Sequence, residues 1–139
     1  RPNHKFIIEG IIVARLFLMI AAISGFFAIV IGAFAAHGLK QILAPEAIEV
    51  VKTGAQYQMY HALALLLIAL WLSHKPEARG LKASGLAFIL GSLLFSGSLY
   101  ALALGAPRWL GPITPLGGLC FLIGWALLLV AAWRTKLAN

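Results

Sequence analysis

Side chains that could bind a ligand recur at helical spacing within the apolar segments of this 139-residue chain. At about 100° per residue, Gly54, Tyr57, Gln58 and His61 fall on one arc of a helix. Phenol and carboxamide groups donate and accept hydrogen bonds, and an imidazole can also carry a proton or ligate a metal. The spacing therefore predicts a polar layer that contains His61.

The candidate binding residues extend beyond this arc. Gln56 and Tyr60 occupy an adjacent flank of the same segment, and three further polar residues repeat at four-residue spacing in the following one. The full set of candidates is His37, Gln56, Tyr57, Gln58, Tyr60, His61, Ser92, Ser96, Tyr100 and Thr114.

Catalysis and cofactor binding find little support in these residues. No nucleophile, base and orienting group can be assembled from them, so we assign no catalytic residue and expect no enzyme. A haem held by His37 and His61 lacks an accompanying haem motif. We therefore expect no cofactor and no metal.

The chain has four apolar stretches, at about residues 16–36, 56–72, 81–104 and 113–133, and all candidates except His37 lie within the last three. Hydrophobic residues make up 62% of the chain and charged residues 11%, whereas soluble domains are about half apolar and about a quarter charged. Roughly 20 apolar residues cross a hydrocarbon core of about 30 Å. The sequence predicts an all-α, integral membrane four-helix bundle, with residues 1–139 forming a single membrane domain.

The segments between the spans carry signals for helix starts and ends. Residues 1–15 combine apolar side chains with Glu9 and Arg15, which predicts an interfacial helix or an extension of the first span. Gly38 is placed to end the first helix in the left-handed conformation, and Pro45 to begin the second. Because the chain begins with Arg, we expect its natural start to lie upstream.

The charges predict an orientation in the membrane. Of the 11 Lys and Arg residues, most lie in the N-terminal segment, the connection between spans two and three, and the C-terminal tail. The positive-inside rule then places both termini in the cytoplasm. Attraction of this basic rim to anionic lipid explains the net charge of +7, so we expect a lipid bilayer as partner and no nucleic acid.

Depth and residue size suggest how the spans meet. Counted from Trp71, His61 and Ser96 lie slightly on the outer side of the membrane centre, while His37 and Thr114 lie at the outer margin. Small residues line one face of span one and recur in spans three and four, at Gly97, Ala101, Gly105, Gly117 and Gly124. Such faces allow close helix packing, either within the bundle or against another chain.

Four ordered motifs resemble one known family. They are residues 32–39 (GAFAAHGL), 53–63 (TGAQYQMYHAL), 94–100 (LFSGSLY) and 113–118 (ITPLGG), and the resemblance covers about residues 16–133. Together they are similar to the domain of unknown function 423 family, which is related to transmembrane protein 256. The resemblance implies a small multi-pass protein of the bacterial inner membrane with no established activity.

Two classes of function remain open. The first is a non-catalytic structural or accessory component that packs against itself, as a homo-oligomer, or against a larger membrane complex. The second is binding or transport of a lipid, quinone or other small lipophilic molecule. The second class predicts a cavity bordered by His61, Tyr57 and Ser96.

Overall fold

The structure, a computed structural model, describes residues 4–136. Four long helices dominate it: α1 is His4–Ala36, α2 is Pro45–His74, α3 is Leu81–Ala103 and α4 is Ile113–Arg134. Short 3-10 turns, Gly38–Gln41 and Arg108–Leu110, lie in the connections before α2 and α4. Each long helix, α4 together with its 3-10 turn, is long and apolar enough to cross a membrane. The prediction of an all-α membrane bundle with four spanning helices is confirmed.

The helices pair as two antiparallel hairpins. α1 packs along α2, and α3 packs along α4, while α2 and α3 join the two hairpins. α1 and α3 touch at few positions. As a result there is a gap between α1 and α3, next to the face of α2 that is directed toward the lipid.

α1 meets α2 through small side chains. Its buried residues include Ala14, Ala21, Ala28 and Ala35, which recur every seven residues. A seven-residue repeat keeps one face of a helix turned toward its partner along its whole length. The small face predicted for span one is therefore used, at these positions, for packing inside the chain.

α3 and α4 interlock through glycines and phenylalanines. At three successive levels a phenylalanine of one helix lies against a glycine of the other. The pairs are Phe88 with Gly124, Gly91 with Phe121, and Phe95 with Gly117. A Cβ added to Gly117 would stand 2.2 Å from the Phe95 backbone nitrogen, so the two backbones are in direct contact there.

α3 contains one irregular turn. Ser92–Ser96 is a π-helical turn between the α-helical parts Leu81–Gly91 and Gly97–Ala103. Such single-turn bulges change the facing of side chains and are frequent at functional sites. Ser92 begins this turn midway along α3.

Both ends of the described chain meet the connection between α2 and α3. Lys75 Nζ donates a hydrogen bond to the main-chain carbonyl of Lys136. Gly10 packs against Pro76, where an added Cβ would lie 2.6 Å from the Pro76 carbonyl oxygen. We call this the basic end of the bundle, since Arg79 and Lys82 also lie there.

The predicted interfacial segment, residues 1–15, is helical from His4 onward and continuous with the first span; residues 1–3 lie outside the described part. At 1.5 Å per residue α1 is about 50 Å long, which exceeds a hydrocarbon core of about 30 Å. Part of α1 therefore extends beyond that core. That residues 4–15 lie in the interface stays a prediction.

The surface of the bundle is apolar. Large hydrophobic side chains are exposed along all four helices, among them Ile29, Leu67, Leu93 and Leu122. Soluble proteins rarely expose contiguous apolar patches larger than a few hundred Å². The helices accordingly contact the lipid bilayer.

The prediction that Gly38 adopts a left-handed conformation is wrong. The glycines with positive φ in residues 4–136 are Gly80, at 90°, and Gly105, at 99°. Gly38 instead begins a right-handed 3-10 turn that continues the chain past α1. Pro45 does begin α2, as predicted.

Candidate functional site in the membrane interior

Buried polar side chains in residues 4–136 occur at five positions: Gln58, His61, Ser84, Ser96 and Ser98. Each makes a hydrogen bond with another part of the chain. In hydrocarbon, a polar group without such a partner costs several kcal/mol. The polar layer is therefore, first of all, a set of hydrogen bonds that hold helices together.

Gln58 links three helices. Its Nε2 donates to the Ser24 carbonyl oxygen of α1 at 2.8 Å, and its Oε1 accepts from the Tyr100 hydroxyl of α3 at 2.6 Å. Interhelical hydrogen bonds in membrane proteins contribute about 0.6 kcal/mol on average and up to about 1.7 kcal/mol. The pair of bonds fixes the relative height of α1, α2 and α3.

Ser96 and Tyr100 both contact one glycine of α2. Ser96 Oγ donates to the Gly54 carbonyl oxygen at 2.7 Å, and the Tyr100 ring lies where a side chain of Gly54 would stand, 2.6 Å from an added Cβ. Residues four apart share a helix face, so both groups reach the same glycine. We call this arrangement a serine–aromatic clamp.

A second serine–aromatic clamp joins α3 to α4. Ser84 Oγ donates to the Gly124 carbonyl oxygen at 2.7 Å, and the Phe88 ring would stand 2.5 Å from a Cβ added to Gly124. Absence of a side chain on the glycine lets the backbones approach, so a short hydroxyl can reach the carbonyl. α3 thus forms two serine–aromatic clamps, one with α2 and one with α4, on different sides of the helix.

His61 is enclosed by aromatic rings. Its imidazole stacks on Phe121 of α4, with ring centroids 3.6 Å apart and planes 3° from parallel. Phe88 of α3 lies tilted against it at 5.1 Å. The side chain is 5% exposed, so it is part of the packed interior.

Hydrogen bonds settle the tautomer of His61. Trp125 Nε1 donates to His61 Nε2 at 3.1 Å, and His61 Nδ1 lies 2.8 Å from the Tyr57 carbonyl oxygen. An indole N–H can only donate and a carbonyl can only accept, so the proton is on Nδ1 and the ring is neutral. Both nitrogens are engaged within the chain, which leaves neither for a haem iron.

The remaining candidates are more peripheral. Gln56 donates a hydrogen bond to Tyr60 on an exposed flank of α2. The hydroxyl of Thr114 lies 2.5 Å from that of Ser98, linking α4 to α3. Tyr57 is 38% exposed, with its ring against Phe95, and His37 is exposed beyond the end of α1.

Two important residues, Ser84 and Trp125, were not among the predicted site residues. The sequence does contain a signal for each. Ser84 precedes Phe88 by the same four-residue step that separates Ser96 from Tyr100. Trp125 lies in the middle of a span rather than at an interface, where an indole N–H requires a partner inside the protein.

A cleft of about 270 Å³ opens between α1 and α3. Its polar lining residues are Ser24, Gln58, His61 and Ser92. Three residues were predicted to border a cavity, His61, Tyr57 and Ser96. Of these, His61 lines this cleft and the other two do not. Tyr57 turns toward α4, and Ser96 is closed off by its clamp on Gly54.

Metal ligands are not assembled anywhere in residues 4–136. No three His, Cys, Asp or Glu side chains come together there. The four acidic residues, Glu9, Glu46, Glu49 and Glu77, lie near helix ends or in a connection, and Lys52 forms an ion pair with Glu49 at 3.6 Å.

Four apolar helices with hydrogen bonds directed inward and leucines directed outward define a multi-pass helical membrane protein. The family model described as protein of unknown function (DUF423) matches residues 31–118. The chain belongs to this family, and the resemblance read from its motifs is confirmed. No solved structure matches the chain.

Relatives match almost along their whole length. A UPF0382 membrane protein of Haemophilus influenzae is 45% identical over 120 residues, which cover 86% of this chain and 95% of the relative. The UPF0382 inner membrane protein YgdD of Escherichia coli K12 is 42% identical, over 88% of this chain and 93% of the relative. YwdK of Bacillus subtilis is 40% identical, over 85% and 96%. The chain is a multi-pass protein of the bacterial inner membrane, from a family without an established activity.

Proposed function

We propose that the chain is a non-catalytic accessory component of the membrane, which associates through its lipid-facing surface with a helix of another chain. The observation that carries the proposal is that all five buried polar residues of residues 4–136 have a hydrogen-bond partner inside the chain, and Trp71 Nε1 is the buried side-chain atom there that has none. Groups engaged in this way hold helix register and are not available as nucleophile or base.

Gly97 supports association with another chain. Its φ is −60°, which any residue can adopt, and no side chain or neighbouring helix of the described residues lies within 4 Å of an added Cβ. A glycine inside a helix costs about 1 kcal/mol relative to alanine. Neither conformation nor internal packing requires glycine here, whereas close approach of an outside helix does.

Association is tested by substituting Gly97 with leucine. We expect Gly97→Leu to weaken recovery of the partner by about tenfold or more, since the added side chain separates the helices. Two differently tagged copies are co-expressed, extracted in mild detergent and purified through one tag. Mass spectrometry then quantifies the second copy and any other membrane protein.

A matched control is Ala126→Leu, which adds the same side chain to an exposed position of α4. Both variants should melt close to the original protein, because neither site is packed internally. Equal recovery of partners with Gly97→Leu and Ala126→Leu, or a single chain alone in the original protein, would contradict association through Gly97.

We also propose that both termini of this accessory component lie in the cytoplasm. Support comes from the basic end, where Lys75, Arg79 and Lys82 lie beside the chain ends. We expect a C-terminal green fluorescent protein to be fluorescent and a C-terminal alkaline phosphatase to be inactive. The same two reporters fused after Gln41, in the opposite connection, should give the reverse result. Active phosphatase at the C-terminus would refute this orientation.

A further inference from the structure

The cleft between α1 and α3 has an apolar entrance, and its mainly apolar lining includes a few polar side chains. Ile20, Ile23 and Phe27 of α1 face Ile89 and Leu93 of α3 across its opening. The floor is formed by α2, with Ala62 and Leu65 beside Gln58 and His61, and Ser92 lies at the α3 side. A chain of hydrocarbon can therefore enter from the bilayer and bring a polar group to the floor.

Two hydrogen-bond donors at this floor lack partners. The hydroxyl of Ser92 makes no hydrogen bond with any side chain or carbonyl of the described residues, unlike the buried hydroxyls of Ser84 and Ser96. The Gln58 amide uses one N–H on the Ser24 carbonyl, and its second N–H has no partner in residues 4–136. An unsatisfied donor in a membrane interior is costly unless something accepts from it.

The position of Ser92 restricts what can accept. Ser92 lies midway along α3, hence about 15 Å from either edge of a hydrocarbon core of about 30 Å. Phospholipid esters and headgroups stay near those edges, and a charged group at the centre is strongly disfavoured. Two donors facing one cleft call for an uncharged acceptor, such as a carbonyl oxygen.

We infer that this cleft binds an uncharged carbonyl lipid of the quinone class, its ring at the floor and its hydrocarbon chain between α1 and α3. Ser92 and Gln58 donate to the carbonyl oxygen. The volume of about 270 Å³ is close to the lower limit of about 300 Å³ that is usual for small-molecule pockets, which suits a single ring. His61, with both nitrogens engaged, packs beneath the ring and makes no bond to it. Binding in this cleft does not require the association through Gly97.

A photoreactive benzoquinone with a ten-carbon chain tests the inference. The purified full-length protein in phospholipid nanodiscs is titrated with this probe, illuminated and digested, and labelled residues are located by mass spectrometry. We expect saturable labelling of α1 and α3 at the cleft. We expect Ser92→Ala to weaken binding about fivefold, the effect of one neutral hydrogen bond, and Ser92→Thr to restore it.

Two controls separate the carbonyl from general lipophilicity. A photoreactive decylbenzene lacks the carbonyl and should bind the original protein and Ser92→Ala alike. Ser73→Ala removes a serine hydroxyl outside the cleft and should leave quinone binding unchanged. Ser92→Ala should fold normally, because its hydroxyl has no partner in the chain. Labelling outside the cleft, or equal quinone binding by the original protein and Ser92→Ala, would each overturn the inference.

Discussion

Replacing Gly117 with alanine is expected to destabilise the bundle by about 3 kcal/mol, the upper part of the range for overpacked positions. The added methyl group would stand 2.2 Å from the Phe95 backbone nitrogen and 2.7 Å from its Cα. Backbone atoms cannot rotate aside as a side chain can, so α3 and α4 must move apart. Equilibrium unfolding in mixed detergent micelles, followed by circular dichroism, measures the loss.

The neighbouring glycine provides a close control. A Cβ at Gly118 would have its nearest neighbour, Phe95 Cδ1, at 3.9 Å, an ordinary contact distance. Gly118→Ala should therefore leave stability unchanged or raise it by up to about 1 kcal/mol through improved helix propensity. If Gly117→Ala and Gly118→Ala unfold at the same detergent composition, the direct backbone contact between α3 and α4 is wrong.

Replacing His61 with alanine is expected to lower the free energy of unfolding by about 3 kcal/mol, as for other buried rings. The substitution opens a cavity against Phe121 and Phe88 and leaves the Trp125 indole N–H without an acceptor. His61→Leu keeps most of the volume and loses the hydrogen bonds and the stacking on Phe121, so its cost should be about 1–2 kcal/mol. Unfolding in mixed micelles should rank the original protein first, His61→Leu second and His61→Ala last.

The exposed His74 serves as the reference histidine. It lies at the end of α2 and bonds to the Leu70 carbonyl of its own helix, so His74→Ala should have an effect of less than about 0.5 kcal/mol. In the Trp125→Phe background the effect of His61→Leu should shrink, because the indole donor is already gone. A His61→Ala protein as stable as His74→Ala would show that the ring is not part of the packed interior.

The two classes of function predict different results for His61. If His61 were a ligand-binding donor, its removal would abolish binding and leave the bundle intact. Its packing predicts instead that the bundle itself is weakened. The group to vary in a binding experiment is therefore Ser92, whose hydroxyl bonds to nothing in residues 4–136.

The number and nature of the helices could be predicted from the sequence because lipid leaves few alternatives. A segment of about 20 apolar residues must satisfy its backbone internally, and an α-helix does so within the segment. The helix start at Pro45 also follows from local chemistry, since proline lacks the N–H that a first helical turn leaves unpaired. Gly38 was mispredicted because its conformation depends on how the chain turns from α1 to α2.

The pairing of helices was open at the level of sequence. Gly97, Gly117 and Gly124 form similar patterns in the sequence. Residues of α3 pack against Gly117 and Gly124, whereas nothing in the described chain packs against Gly97. Helical spacing places residues on a face but does not say which neighbour covers that face. Similarly, the spacing put Tyr57 beside His61 without showing that Tyr57 turns to Phe95 and Phe121.

For this protein, the sequence by itself determined the membrane location, the four spans, the family and the presence of polar groups at membrane depth, since each follows from composition and local order. Only the tertiary structure decided which of those groups form hydrogen bonds within the chain. Ser96, Tyr100 and His61 bond across helices, whereas Ser92 faces a cleft. The physical reason is that a hydrogen bond between helices depends on their relative height and rotation, which are set by the glycine contacts of the whole bundle.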